Sequence, residues 1–597
     1  MIDAAGLPPP GLILILGGLL LPLLRGAGPA VALALPLLTL AAIWTLPGDL
    51  SVTMPFMGDY TLTVLSWQPA TAVFATIFAL MAFGGALFAH PITGLASERG
   101  KRWQVELPAA FVYAGSAICV TFAGDILSLF IFWELMAVGS TVVVWSAGTR
   151  ESARAGLRYA LVHLVGGVVL MAGILAHVFA LQSQGVADPL ALSHFGFGAA
   201  GFDALSFGAG QAAPWLILIG VLVNAAAPPL GSWLADTYPE ASESGTVFLS
   251  AFTTKTAVYV LMLLFAGTEL LVYVGLAMAV YGIVYAILEN DMRRILAYSI
   301  VNQVGFMVCG IGIGTAMALN GAAAHAFAHI IYKALLLMSA GSVLYMTGKR
   351  KCTDLGGLYH SMPITMICGI VGALAISSFP LTSGFVTKSM INQAAADQHH
   401  ALAWFVLTAA SAGVFLHAGI KFPWFVFFQK DSGLRPPDPP WNMRAAMIFF
   451  AVLCVGLGIP GVYGPLYAIL PYPAAAGETL YVPYTGAHVL SQLQLLLFSG
   501  LAFFVLLPVL KRTLTITIDA DWFYRRMFPA LWKHLLRPVF AALGELRDGI
   551  LGGIPDDVKR IVYSAPRENS MFQEWGLGGA MLTITAILFV SLMLSFA

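Results

Sequence analysis

Long apolar runs separated by short polar stretches set the pattern of this chain. About 20 apolar residues suffice to cross the hydrocarbon of a bilayer as a helix. Sixteen runs qualify: 10–24, 28–46, 69–90, 107–124, 126–147, 157–181, 214–232, 245–267, 269–288, 292–315, 317–346, 362–396, 402–428, 443–469, 490–510 and 575–597. The polar stretches between them differ in charge. Those at 47–68, 182–213 and 470–489 hold no Lys or Arg, whereas 98–102 reads ERGKR, 349–351 reads KRK, and 511–570 is rich in both. Basic loops stay on the cytoplasmic side, and sixteen crossings with both termini outside satisfy every assignment. The N-terminus, MIDAAGLPPP, lacks a positive n-region, so its first apolar run reads as a retained helix rather than a cleaved signal.

Two runs share a design. PWLILIGVLVNAAAPPLGSWLAD (214–236) and PITMICGIVGALAISSFPLTSGFVTK (363–388) each pass from apolar sequence through a proline break into polar sequence. In the topology above they cross in opposite directions. Paired broken helices in two inverted halves point to a transport site near the membrane midplane. The segment 519–550, with DWFYRRMFPALWKHLLRPVF, is too charged to span and reads as an interfacial helix or a subunit-docking helix.

Composition agrees with a membrane solvent: 59% of the 597 residues are hydrophobic and 10% charged, against about 25% charged in soluble domains. With 29 basic and 29 acidic side chains, nothing favours a nucleic-acid partner. Cys119, Cys309, Cys352, Cys368 and Cys454 have no ligand spacing, and no cofactor site is visible.

The charges that remain inside the runs are therefore informative. HAFAHIIYKALLLM (325–338) places His325, His329 and Lys333 four residues apart, one column on a helix. Glu134 lies in LSLFIFWELMAVGSTVVVW, Lys255 in GTVFLSAFTTKTAVYVLMLLF, and Lys388 follows the second break. Ionisable groups in hydrocarbon are costly and mark ion or proton pathways. His163 and His417 read as helix-packing donors, and Lys421 as a lysine that snorkels to the interface.

At these residues the chain resembles a family. WELM (133–136), PPLGSWLADTYPEA (228–241), TTKTAVYVL (253–261), DMRRILAYSIVNQVGF (291–306), HAFAHIIYKALLLMSAGSV (325–343) and FPLTSGFVTK (379–388) occur in the order found in the antiporter-like membrane subunits of respiratory complex I, membrane hydrogenases and Mrp-type cation/proton antiporters. The likeness covers roughly residues 60–430 and is strongest to the D-type subunit of Mrp antiporters. It implies an all-α polytopic fold of about 14–16 transmembrane helices, with two inverted five-helix repeats that each contain a broken helix. It implies a proton relay through Glu134, Lys255, His325, His329, Lys333 and Lys388. The chain departs from the family at Asn224, where a lysine is usual, and at Arg293, also usually lysine. The first half-channel is then altered or idle, and the second keeps its full set.

The expected organisation is an N-terminal helical region with an external loop (1–106), a first repeat (107–268), a second repeat (269–428), additional helices (429–518), a cytoplasmic interfacial segment (519–570) and a last helix (571–597). The implied function is proton translocation in a multisubunit Mrp-type antiporter of a bacterial inner membrane. Its implied partners are other membrane subunits, the lipid bilayer, protons and a monovalent cation, sodium by the resemblance. A redox-driven proton pump and a non-conducting scaffold are the alternatives.

Overall fold

The computed structural model describes residues 8–48, 50–56, 60–196, 212–472 and 481–507, with isolated positions between 522 and 538. Residues 1–55 and 61–516 form one compact unit, and residues 56–60 and 517–597 form a second. Most of the expected interfacial segment and the whole of the last helix lie outside the described residues.

In the first unit the chain begins with α1 (Gly11–Leu20), whose end tightens into a 3-10 turn, and α2 (Gly28–Thr45). Where the sequence reading expects only a loop free of basic residues, the chain forms a hairpin of β1 (Ser51–Phe56) and β2 (Tyr60–Ser66). The Thr63 amide donates to Asp125 Oδ2 at 2.7 Å, which holds the hairpin at a helix start. Then come α3 (Thr71–Ala89), α4 (Glu98–Phe122), α5 (Ile126–Trp145) and α6 (Arg150–Ser183). Helix α4 starts at the basic stretch itself, capped by Ser97, which accepts from the Gly100 amide at 3.0 Å.

The first expected break separates α7 (Ala212–Asn224) from α8 (Ser232–Thr237). A smaller interruption, Ser250–Phe252, divides the next run into α9 (Gly245–Leu249) and α10 (Thr253–Leu264). Helices α11 (Leu270–Leu288), α12 (Met292–Ile313) and α13 (Ala316–Thr347) are continuous. The second expected break separates α14 (Pro363–Ile376) from α15 (Ser383–Asp397). Helix α16 (Ala401–Val414) runs on into two π-helical stretches, Phe415–Lys421 and Trp424–Phe428. Helices α17 (Trp441–Gly456), α18 (Gly464–Ala468) and α19 (Gly486–Leu506) follow. Among the described residues, fifteen of the sixteen expected spans thus have helical counterparts, eleven of them long and apolar enough to cross a membrane.

The two breaks are built alike. After α7 the Ala226 amide donates to Val223 O and the Ala227 amide to Leu222 O, both at 3.1 Å. After α14 the Ser378 amide donates to Ala375 O at 3.1 Å and the Phe379 amide to Leu374 O at 3.0 Å. Both are the Schellman closure of a helix C-terminus, which needs one left-handed residue. Ala226 (φ 61°) and Ser378 (φ 59°) take that position without being glycine. Such residues cost of order 1 kcal/mol and are retained where surrounding structure fixes them.

Helix α12 lies at the centre, with nearly all of its residues buried, and α11 packs along it. A Cβ at Gly305 would approach Gly275 O to 2.6 Å and Ala279 N to 2.7 Å, so the two backbones touch. Small residues permit this close packing in membranes, where van der Waals contact drives helix association.

Polar and charged residues gather near the loop that follows α8. Glu106, 2% exposed, accepts from Ser242 at 2.6 Å and Ser146 at 3.0 Å, and also from Ser244. Arg158 pairs with Asp236 at 2.6 Å. Arg350 pairs with Asp291 at 2.8 Å and Glu240 at 3.0 Å. Arg293 donates to the carbonyls of Pro239, Ala241 and Ser242 at 2.7–2.9 Å, tying that loop to α12. Its planar fork reaches several acceptors that a lysine ammonium could not span together.

Gly305→Val should insert a branched side chain into the α11–α12 contact. Overpacking of this kind costs about 3 kcal/mol at its upper end, so the thermal unfolding midpoint of the purified protein in detergent should fall clearly. Gly433→Val, with no heavy atom near its Cβ position but a positive φ, should cost less.

Candidate functional site

The residues singled out from the sequence fall into one group of five and one residue apart. His325, His329 and Lys333 form the expected column on α13, each with no solvent exposure. The imidazole centroids of His325 and His329 are 6.3 Å apart. Helix α13 packs on α12, α14 and α15, and its polar column meets Gln303 and Ser299 of α12 and Thr387 of α15.

Each group of the column has a distinct setting. His325 Nε2 lies 3.1 Å from Gln303 Oε1, and its Nδ1 lies 3.4 Å from Thr387 Oγ1. The Tyr332 hydroxyl donates to the same Gln303 oxygen at 3.0 Å. Lys333 Nζ donates to Ser299 Oγ at 2.9 Å and Leu296 O at 3.4 Å. His329, between them, has no hydrogen-bond partner on either ring nitrogen among the described residues. It lies within electrostatic range of Lys255, Lys333, His325 and Lys388. The imidazole therefore stands where cations of both halves converge.

Two further lysines are held at helix interruptions. Lys255 Nζ donates to Ser250 O at 2.7 Å and Thr254 Oγ1 at 3.1 Å. Lys388 Nζ approaches Ile376 O at 3.5 Å and lies 4.6 Å above the Phe306 ring, a cation–π position. An interruption leaves carbonyls without their helical amide donors, and an ammonium supplies the missing donors. Among the described residues, none of these lysines has a carboxylate within 4.0 Å.

Glu134 stands apart from the five. On α5 it packs against Gly167 of α6, where any Cβ would collide with the carboxylate. Its buried Oε1 has no hydrogen-bond partner among the described residues. Lys255 therefore does not pair with it. Asn224, at the end of α7, is buried with 2% exposure.

The contacts of His163 and Lys421 differ from expectation, and those of His417 agree with it. His163 is no packing donor, because neither ring nitrogen has a partner among the described residues. Its ring sits against Tyr159, with centroids 4.0 Å apart, and against Trp233 at 4.5 Å. Lys421 does not snorkel: it donates to Ile287 O and Glu289 O at 2.5 Å and to Ala286 O at 3.3 Å, closing the end of α11. His417 meets the Gly413 carbonyl at 2.8 Å through Nδ1, as a packing donor would. Its Nε2 is unpartnered among the described residues, and the ring lies within electrostatic range of Lys333 and Lys388.

Sequence reasoning missed the polar residues that hold the column. Gln303, Ser299 and Thr387 are each fully buried. Their signal is the pair Asn302–Gln303 inside the apolar helix α12, where two adjacent amides demand partners. Among the described residues there is no cluster of three or more His, Cys, Asp or Glu able to hold a metal. All five cysteines are buried and outside any disulfide.

Known proteins share parts of this sequence and this fold. The family described as NADH:quinone oxidoreductase/Mrp antiporter, transmembrane, matches residues 123–415, about half of the chain. A probable K(+)/H(+) antiporter subunit of Rhizobium meliloti (strain 1021) is 29% identical over 366 residues, 58% of this chain and 35% of that protein. An Na(+)/H(+) antiporter subunit of Alkalihalophilus pseudofirmus is 26% identical over 349 residues, 55% of this chain and 69% of that one. The chain spans about a third to a half of the length of several curated relatives that it matches. In fold, the chain is similar to a chain of the Mrp complex from Dietzia sp. DQ12-45-1b, with TM-score 0.66, 21% identity and coverage of 83% of this chain and 100% of that one. It is also similar to a chain of an archaeal membrane-bound sulfane sulfur reductase, with TM-score 0.69, 22% identity and coverage of 98% and 100%. The chain is thus a polytopic membrane protein whose residues 123–415 match the NADH:quinone oxidoreductase/Mrp antiporter family of membrane subunits.

Proposed function

We propose that this chain is a proton-translocating subunit of a multisubunit Mrp-type antiporter that exchanges protons for a monovalent cation. The observation that carries the reading is the buried file of Lys255, His329, His325, Lys333 and Lys388, with His329 unpartnered at its centre among the described residues. Lysine and histidine exist in charged and neutral forms and hand on protons, which arginine does not do in proteins. In a file of mutually repelling cations, a proton arriving at one member favours release from the next. His329 is the point at which such repulsion passes between Lys255 of one half and Lys333 and Lys388 of the other. Relatives named as K(+)/H(+) and Na(+)/H(+) antiporter subunits support the antiport reading and make sodium and potassium the cations to test.

A second reading is a proton-pumping membrane subunit of a redox-driven complex. Its support is the respiratory sulfur reductase chain, which matches over nearly the whole length of this one. Purifying the native complex through a tag on this chain and identifying its subunits separates the two. Antiporter-type membrane proteins alone favour exchange, and iron–sulfur or NADH-binding proteins favour the pump.

In everted vesicles, exchange is measured as the reversal of a proton gradient on addition of sodium or potassium. Lys333→Ala should reduce the rate at least to a few per cent while the complex still assembles. Lys333→Arg should fail equally, because a permanently charged group stores charge but hands on no proton. Normal exchange in either variant would remove the column from the pathway.

Glu134→Gln keeps shape and removes the titrating group. It should lose most of the exchange, with Glu134→Asp retaining part. Equal rates for Gln and wild type would make Glu134 a packing residue against Gly167.

A further inference from the structure

Between Glu134 and the lysine file lies a gap that the six relay residues do not fill. Among the described residues Glu134 has no cation within 4.0 Å, and Asn224 at the end of α7 carries an amide that does not titrate. Another imidazole sits in that gap. On α6, Tyr159, His163 and Gly167 recur every four residues and so share one face. Glu134 packs on that face at Gly167. His163 stands one turn away, 3% exposed and without a hydrogen-bond partner among the described residues. Tyr159 follows one turn further, and its hydroxyl donates to Ser140 Oγ at 2.9 Å and lies 3.4 Å from Thr253 Oγ1. Thr253 Oγ1 is 2.6 Å from the Tyr113 hydroxyl. Its neighbour Thr254 bonds Lys255 Nζ at 3.1 Å.

The position relative to the helix break is equally informative. His163 meets the edge of Trp233, whose indole N–H donates to Val223 O at 3.0 Å, the carbonyl next to Asn224. A Cβ at Gly166 would lie 3.1 Å from Val223, so this stretch of α6 packs directly on the end of α7. The imidazole therefore occupies the neighbourhood of residue 224 from the adjacent helix.

We propose that His163 is the proton carrier of the first half, linking Glu134 to the hydroxyl cluster of Tyr159, Thr253 and Tyr113 and through Thr254 to Lys255. The inference rests on the proton-translocating reading above. The protonated Glu134 carboxyl gives its proton, through water entering between them, to one imidazole nitrogen. This leaves carboxylate and imidazolium. The other nitrogen releases its own proton toward the hydroxyl cluster, and neutral imidazole with a proton on the first nitrogen remains. Each hydroxyl on the way accepts one proton and passes on its own, ending at neutral Lys255 Nζ. No bond other than O–H and N–H changes, and no co-reactant is consumed. A buried imidazole without partners is costly as a purely structural element, whereas a carrier needs both nitrogens free.

The test uses the tagged native complex in everted vesicles, with Lys333→Ala as reference. His163→Gln keeps hydrogen-bonding capacity without titration and should lower exchange roughly tenfold or more, at unchanged subunit recovery. Asn224→Lys in the same neighbourhood should retain exchange, and His163→Gln/Asn224→Lys should recover to within about threefold of wild type. Exchange unaffected by His163→Gln while Lys333→Ala abolishes it overturns the role of His163 and leaves the proposed function standing. A loss that Asn224→Lys does not relieve, although that variant alone is active, makes His163 a structural residue and overturns the proposal equally. If His163→Gln fails to assemble, the smaller His163→Asn is read by the same criteria. Absence of cation-dependent exchange in the wild-type complex overturns the antiport reading itself.

Discussion

Every interruption of a helix inside hydrocarbon releases carbonyl oxygens that no lipid can satisfy. The architecture of this protein follows from how those oxygens are met. At Ser250 the donor is Lys255, at Ile376 it is Lys388, and at the end of α11 it is Lys421. Val223, at the first break, receives the indole of Trp233, and Ser377, at the second, receives Gln492 at 3.1 Å. The same ammonium that makes an interruption tolerable can also lose a proton. On the proposed reading, transport chemistry uses side chains that the interruptions at Ser250 and Ile376 already require.

The column on α13 depends on this arrangement because Lys255 and Lys388, held at two interruptions, act electrostatically on His329 within it. Gln303 and Ser299 hold its ends by neutral hydrogen bonds, which fix orientation without fixing charge. A carboxylate beside Lys333 would instead pin its ammonium in the charged form. On the proposed reading, neutral partners leave that proton free to move. The arginines are kept out of this region: Arg293, Arg158 and Arg350 serve carbonyls and carboxylates around the loop after α8.

Much of this was legible in the sequence because hydrocarbon is an exacting solvent. Apolar run length located fifteen described helices, and the rarity of charge inside them singled out the relay candidates. The prolines, Pro228-Pro229 and Pro380, located both breaks, although the closure begins earlier, at Ala226 and Ser378, because the left-handed residue precedes the proline. What was not legible was which groups meet. A spacing rule puts His325, His329 and Lys333 in register on one helix, but the distance from Glu134 to any cation is set by how α5 and α6 pack. Gly167 decides that distance, and the sequence does not say that a carboxylate packs on it. Lys421 defeats sequence reasoning for a related reason: a position near a helix end suggests water, while the carbonyls of α11 lie closer.

The backbone contact between α11 and α12 bears on leakage. Where Gly275 and Gly305 bring two main chains together, no row of water molecules fits between them. Helix α11 turns Tyr273, Val280 and Val284 outward, and α12 behind it carries Gln303 and Ser299 toward the column. On the proposed reading the glycine seam acts as an insulating wall: it leaves a proton on the column no wetted path sideways between α11 and α12.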